Sequence, residues 1–217
     1  MRRPAPGLYL IVDPVGHDRH RREDLLDPLL GSGVTCVQLR DKQRTPGRSP
    51  AFARHLLERC RAHGLPLIVN DDPGWARELG ADGVHLGQED HAIRDARRML
   101  GPEAWIGASA YADLQRAREA IQQGADYIAF GSFFPSATKP RAPRATLDLL
   151  REARRTLDRP ICAIGGIRAD NARSLMAAGA DWVAVISAVW DAPDPVAAIR
   201  ALVAACASTR GEEPAPP

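Results

Sequence analysis

The chain of 217 residues carries 29 basic and 27 acidic side chains, a formal net charge of +2, and is 45% hydrophobic. That length suits one large domain or two small ones, with enough apolar surface for a substantial core. The near balance of charge argues against a nucleic-acid or membrane-surface binder, and no run of about 18 apolar residues is present to span a bilayer.

The opening stretch MRRPAPGLYLIVD has two arginines but no long apolar segment before structure begins, so it does not read as a signal peptide. Short apolar runs bounded by Gly, Asp or Asn then recur: LYLIVD (8–13), CVQLRD (36–41), PLIVND (66–71), GVHLG (83–87), WIGAS (105–109), YIAFGS (127–132), ICAIGG (161–166) and WVAVIS (182–187). Their nearly continuous apolar character is that of parallel strands covered on both faces. Helical patterns lie between them. One takes Ser49 as N-cap, Pro50 at its first position and Gly64 as its stop; a second runs from Asp170 to Gly179; a third starts at Asp194 and Pro195. The tripeptide GAD recurs at Gly80, Gly124 and Gly179, each time closing a helix and opening a strand.

Eight strand–helix units of roughly 27 residues each fill the chain, which predicts a single (β/α)8 TIM barrel of the α/β class. A doubly wound open sheet would show a G-x-G-x-x-G turn after its first strand, and IVDPVGHD lacks one. The expected domain covers 1–217, with its core from about 7 to 206 and frayed ends over 1–6 and 207–217. Cys36, Cys60, Cys162 and Cys206 lie far apart without a CxxC pair. They read as reduced packing residues of a cytoplasmic protein, not as a zinc site.

Chemistry in such a barrel sits where the strands end. Gln38, Arg40, Asp41 and Lys42 follow the second strand, and Asn70, Asp71 and Asp72 the third. The fourth runs into Gln88, Glu89 and Asp90, the fifth ends in Ala108 and Ser109, and Ser136, Thr138 and Lys139 follow the sixth. Carboxylates crowded at a partly buried mouth repel, and a hard divalent ion such as Mg2+ relieves this with one or two carboxylates plus water and phosphate oxygens. Arg40 and Lys42 would neutralise further phosphate charge. Asp71, Asp72 and Asp90 could instead cap helices and pair with arginines.

The glycine pair Gly165–Gly166 and the segment VISA (185–188) mark a phosphate site between the last two strands. Among 29 basic residues only Lys42 and Lys139 are lysines, and both fall just beyond strand ends, which reads as phosphate contact. His85 lies within the fourth strand and is read either as an interior group or as a hydrogen-bonded packing residue. His17, His20, His55, His63 and His91 read as surface residues.

Taken together, LYLIVD, CVQLRDK, LIVNDD, ADGVHLGQED, IGAS, FFPSATKP, AIGGI and VISA resemble the thiamine phosphate synthase family, in order and across nearly the whole barrel. The resemblance implies a Mg2+-dependent transferase that joins a hydroxymethylpyrimidine diphosphate to a thiazole phosphate. By it, Asp71 and Asp90 bind Mg2+, and Arg40, Lys42 and Asn70 hold the diphosphate. Gln38 helps seat the pyrimidine, and Ser109 and Lys139 contact the diphosphate. Ser136, Thr138, Gly166, Ile186 and Ser187 hold the thiazole phosphate. The family's Pro-Thr-x-Thr-Lys stands here as Pro135-Ser136-Ala137-Thr138-Lys139, which keeps the hydroxyl and loses a methyl. The partners expected are these small molecules, with neither nucleic acid nor membrane; a homo-oligomer is compatible. A thiazole tautomerase type, a sugar-phosphate isomerase and a non-catalytic thiazole-phosphate-binding regulator are the competing readings.

Overall fold

Eight parallel strands pair in sequence order and close, β8 returning to β1. The computed structural model describes residues 4–13, 19–41, 50–87, 93–135 and 144–207. In chain order the elements are β1 (Gly7–Val12), α1 (Arg19–Leu30), β2 (Val34–Leu39), α2 (Pro50–Ala62), β3 (Leu67–Asn70) and α3 (Pro73–Leu79). Then come β4 (Gly83–Leu86), α4 (Ile93–Leu100), β5 (Trp105–Tyr111), α5 (Leu114–Gln123), β6 (Tyr127–Phe130) and α6 (Leu147–Thr156). The chain completes the ring with β7 (Ile161–Ile164), α7 (Ala169–Ala177), β8 (Trp182–Val185), α8 (Ser187–Trp190) and α9 (Pro195–Ala207). The predicted TIM barrel is observed. No helix among the described residues is long and apolar enough to cross a membrane.

The two-residue period of the strands divides the core in two. Leu8, Leu10 and Val12, with Val37, Leu39, Val69 and Val84, face the helices in one large apolar layer. The alternate residues Tyr9, Ile11, Cys36, Ile68, Tyr127, Cys162, Trp182 and Ala184 fill the barrel axis. Trp182 packs edge-on against Trp105 and Tyr127, with ring centroids 6.2 and 5.7 Å apart. Room for these rings comes from glycine: a Cβ on Gly107 would overlap the Tyr127 ring.

Several boundaries differ from expectation. β2 begins at Val34 and β5 continues to Tyr111, so Ser109 lies within a strand and not at its end. The seventh helix starts at Ala169 after Arg168, not at Asp170, because the Asn171 side chain accepts the Arg168 N–H and Asp170 pairs with the Arg168 guanidinium. The second helix begins at Pro50, as read; its expected N-cap Ser49 lies outside the described residues. The short helix α8 has no counterpart in the sequence reading, since four residues display no period. Its Trp190 indole donates to the Ile11 carbonyl at 2.8 Å and so fixes the turn after β8 against β1.

The GAD repeat acquires a second meaning. Gly80 and Gly124 take left-handed φ of 72° and 103° and end their helices, as read. The aspartate beside each does more. Asp82 accepts the Leu67 N–H at 2.7 Å, Asp126 the Ile106 N–H at 2.8 Å, and Asp181 the Ile161 N–H at 2.9 Å. The backbone N–H of each donates back to the carbonyl of that same residue. Three carboxylates thus staple each even-numbered strand from β4 to β8 to its predecessor at the barrel base. Arg97 and Arg154 pair with the second and third.

Asp126→Ala should strand the Ile106 N–H and remove the carboxylate from Arg97, whose guanidinium keeps its bonds to the Gly101, Pro102, Ala104 and Gly124 carbonyls, costing about 2 kcal/mol. Thermal unfolding should show a midpoint lower by roughly 4–8 °C, with turnover at low temperature unaffected because the change lies at the end remote from the mouth. All four thiols are free and buried. Burial pushes Cys60 up to about 12 and Cys36 and Cys162 up as well, whereas an unfolded thiol ionises near ~8.5. A raised folded value means stability is fully present below the unfolded value and is lost as pH climbs toward the folded one. The urea midpoint should therefore be lower at about pH 10 than at about pH 7.5, and a midpoint unchanged or higher at the alkaline end would contradict this.

Candidate active site

The interior-facing positions change character toward the strand exits. Below lie tryptophans and cysteines; above them stand Gln38, Asn70, His85 and Ser109, on β2 to β5. Parity places them there, since Gln38 follows Cys36, Asn70 follows Ile68 and Ser109 follows Trp105 and Gly107 at spacings of two. Gln38 and His85 are buried and Ser109 is half-buried.

These groups are joined across the axis. Gln38 Nε2 donates to Tyr9 Oη at 3.1 Å, and Tyr9 Oη meets Tyr127 Oη at 3.0 Å. His85 Nδ1 stands 3.0 Å from Tyr127 Oη, and His85 Nε2 is 2.9 Å from Ser109 Oγ. Burial holds both phenols well above the ordinary tyrosine range, so both are protonated donors. Of the two readings of His85, the hydrogen-bonded interior group combines both.

Arg40 follows β2. Its N–H donates to Val12 O at 2.9 Å, and its guanidinium pairs with Asp13 at 3.1 Å, both half-buried. Asp13 was not singled out by sequence reasoning, although it ends an apolar run as Asp41 and Asp71 do. On β3, Asn70 pairs in register with His85 of β4. Asp71 next to it takes a left-handed φ of 66°, and its N–H donates to His85 O at 2.8 Å, tying the tip of β3 to β4. Asp72 separates from the acid group: it is the N-cap of α3, accepting the Trp75 N–H at 3.0 Å, as the capping alternative anticipated for one of the three acids.

Gly166 has φ 65°, and a Cβ there would collide with the backbone of Phe134 and Pro135. Phe134 N–H donates to Gly165 O at 3.0 Å. The glycine pair thus admits the root of the loop after β6 onto the end of β7. Ile186 and Ser187 lie one strand further round, where β8 enters α8. Lys42, Asp90, Ser136, Thr138 and Lys139 lie outside the described residues, as do Gln88 and Glu89.

No three His, Cys, Asp or Glu side chains group to hold a metal among the described residues. The donor chemistry at the tip of β3 nevertheless suits a hard cation. Asp71 offers a carboxylate and Asn70 an amide oxygen, and Mg2+ requires only one or two carboxylates where phosphate and water complete its shell.

Residues 8–189 match the family model described as thiamine monophosphate synthase. The thiamine-phosphate synthase of Thiobacillus denitrificans is 53% identical over 192 residues, 88% of this chain and 91% of that protein. That of Thioalkalivibrio sulfidiphilus is 48% identical over 198 residues, 91% of this chain and 94% of its own length. The thiamine phosphate pyrophosphorylase of Pyrococcus furiosus superposes with a TM-score of 0.82 at 35% identity, over 94% of this chain and 97% of that one.

The left-handed backbone at Asp71 separates a requirement for its conformation from one for its charge. Asparagine tolerates this region and a β-branched residue does not. Asp71→Asn should leave the thermal midpoint nearly unchanged, whereas Asp71→Val should lose about 1–2 kcal/mol, a midpoint lower by roughly 2–8 °C.

Proposed function

The chain belongs to the thiamine monophosphate synthase family and is an alkyl-transferase that forms thiamine phosphate; from that premise we propose how its barrel mouth divides the work. The electrophile is 4-amino-2-methyl-5-hydroxymethylpyrimidine diphosphate, and the nucleophile is the ring nitrogen of 4-methyl-5-(2-phosphooxyethyl)thiazole. The bond between the pyrimidine methylene and its oxygen breaks, and the electron pair leaves with diphosphate. The thiazole nitrogen lone pair then makes the new carbon–nitrogen bond, and no proton need move.

Delocalisation of positive charge into the aminopyrimidine favours a dissociative path. The protein's share is therefore positioning and stabilisation of the leaving charge rather than a covalent nucleophile. Arg40, Lys42 and Asn70 hold the diphosphate, with Ser109 donating to it and Lys139 steadying it as it departs. Gln38 seats the pyrimidine. Ser136, Thr138, Gly166, Ile186 and Ser187 hold the thiazole phosphate, an arrangement supported by the short extra helix that follows β8, a recurrent phosphate-binding element of such barrels. Asp71 and Asp90 would hold Mg2+, which when bound supplies charge neutralisation to the diphosphate. Asp13, paired with Arg40 at 3.1 Å, orients that guanidinium. The four free, buried thiols support a reducing, cytoplasmic setting.

The observation that carries this reading is the bond between the acidic tip of β3 and its neighbour β4. The Asp71 N–H on His85 O ties the tip of β3 to β4, the strand that leads to Asp90, and Gln38 and Ser109 share the same interior surface. Purified protein given both substrates should form thiamine phosphate with Mg2+ and lose that activity in EDTA. Lys42→Ala and Asp71→Asn should each lower kcat on the order of 10²-fold with the fold intact by circular dichroism. Turnover that persists in EDTA would remove the metal from the scheme, and near-native rates in both variants would remove these residues from it.

A further inference from the structure

The hydrogen bonds across the barrel axis form one continuous chain from Gln38 through Tyr9, Tyr127 and His85 to Ser109, with links of 3.1, 3.0, 3.0 and 2.9 Å. Each inner member both gives and takes, so one choice of direction fixes all the others. Gln38 Nε2 can only donate, and Tyr9 Oη therefore accepts. The proton of Tyr9 goes to Tyr127 Oη, a better acceptor than the Cys36 thiol also within its reach. The proton of Tyr127 then goes to His85 Nδ1, which must be bare. The imidazole proton sits on Nε2 and is given to Ser109 Oγ, so the serine's own proton is left for the mouth. Turning the Gln38 amide would reverse every link and make Ser109 donate inward to His85.

We propose that this chain is a polarised device that presents an acceptor at one end of the pyrimidine substrate and a donor at the other, and that Tyr9, Tyr127 and His85 are its positioning residues. The inference rests on the function proposed above, in which Gln38 meets the pyrimidine and Ser109 the diphosphate. The exocyclic amine of that substrate can only donate here and needs Gln38 Oε1. The diphosphate oxygens can only accept and need the Ser109 O–H. Both demands select the direction that the Gln38 amide orientation implies. A substrate with an oxo group in place of the amine would turn the Gln38 amide, reverse the chain and withdraw the Ser109 proton from the diphosphate. It would thus lose an interaction at the end that it does not touch. Discrimination between amino and oxo pyrimidines then exceeds what the Gln38 contact alone supplies.

Two measurements test this. Nitrogen-15 NMR of histidine-labelled full-length protein should find His85 with a bare Nδ1 and a protonated Nε2; a proton on Nδ1, in either the reversed tautomer or the imidazolium, overturns the proposal whatever the enzyme's substrates are. Calorimetry in Mg2+ buffer, with the thiazole phosphate withheld, should then compare the amino pyrimidine diphosphate with its 4-oxo counterpart. Wild type should prefer the amino form on the order of 10²-fold, about tenfold from each end of the chain. Tyr127→Phe, and independently Tyr9→Phe, break the chain at different links and should each reduce that preference to about tenfold. An undiminished preference in both variants overturns the coupling. Failure of the wild-type protein to bind either diphosphate would instead fall on the proposed function, and the NMR result would stand apart from it.

Discussion

A strand buried on both faces has no side on which a polar residue is free of consequence. In this barrel the two-residue period sends Leu8, Leu10 and Val12 outward to the helices and Tyr9 and Ile11 inward to the axis. Anything polar at an inward position must find a partner across the axis, because an unsatisfied buried group costs about 1–3 kcal/mol. Tyr9, Gln38, Tyr127, His85 and Ser109 meet that demand by satisfying one another. The same constraint explains Gly107. A side chain there would occupy the place of the Tyr127 ring, and the chain across the axis would lose its middle.

The two ends of the barrel solve different problems with the same residue type. At the base Asp82, Asp126 and Asp181 are spent on backbone N–H groups and lock neighbouring strands in register. At the mouth Asp72 caps a helix, Asp13 pairs with Arg40, and Asp71 is held in a left-handed turn by its own N–H. Stability is thus concentrated where nothing must bind. The mouth keeps Asp71 on a fixed backbone beside the exit of β4, a site suited to a ligand that brings its own charge.

Much of this was legible in the sequence. Eight apolar runs and the glycine stops gave strand number, order and closure, because burial on both faces leaves an unmistakable composition. Gln38, Arg40, Asn70 and Asp71 were legible as rim residues because they interrupt those runs at the exits. What escaped depends on pairing across the ring, which no local pattern encodes. Ser109 read as a strand end and lies inside β5, in contact with His85. Tyr9 and Tyr127 read as ordinary apolar-strand residues, though their hydroxyls meet at 3.0 Å from positions 118 residues apart. The aspartates of the GAD repeat were visible, yet only the glycine was understood, since its role is local and theirs spans two strands.

The half-buried Arg40, Asp13 and Asp71 stand at the strand exits, and an amide, two phenols and an imidazole lie beneath them. Charges placed among Trp105, Trp182 and Cys162 would face a steep desolvation cost. The axis therefore carries hydroxyls, an amide and an imidazole, and burial drives the two phenols further from ionisation. Such a chain of hydrogen bonds can still transmit orientation, because reversing one link reverses all of them. Arg40 and Asp71, half-buried, stand at the strand exits above them. The depth of a residue along the axis thus decides whether it contributes charge or only the direction of a proton.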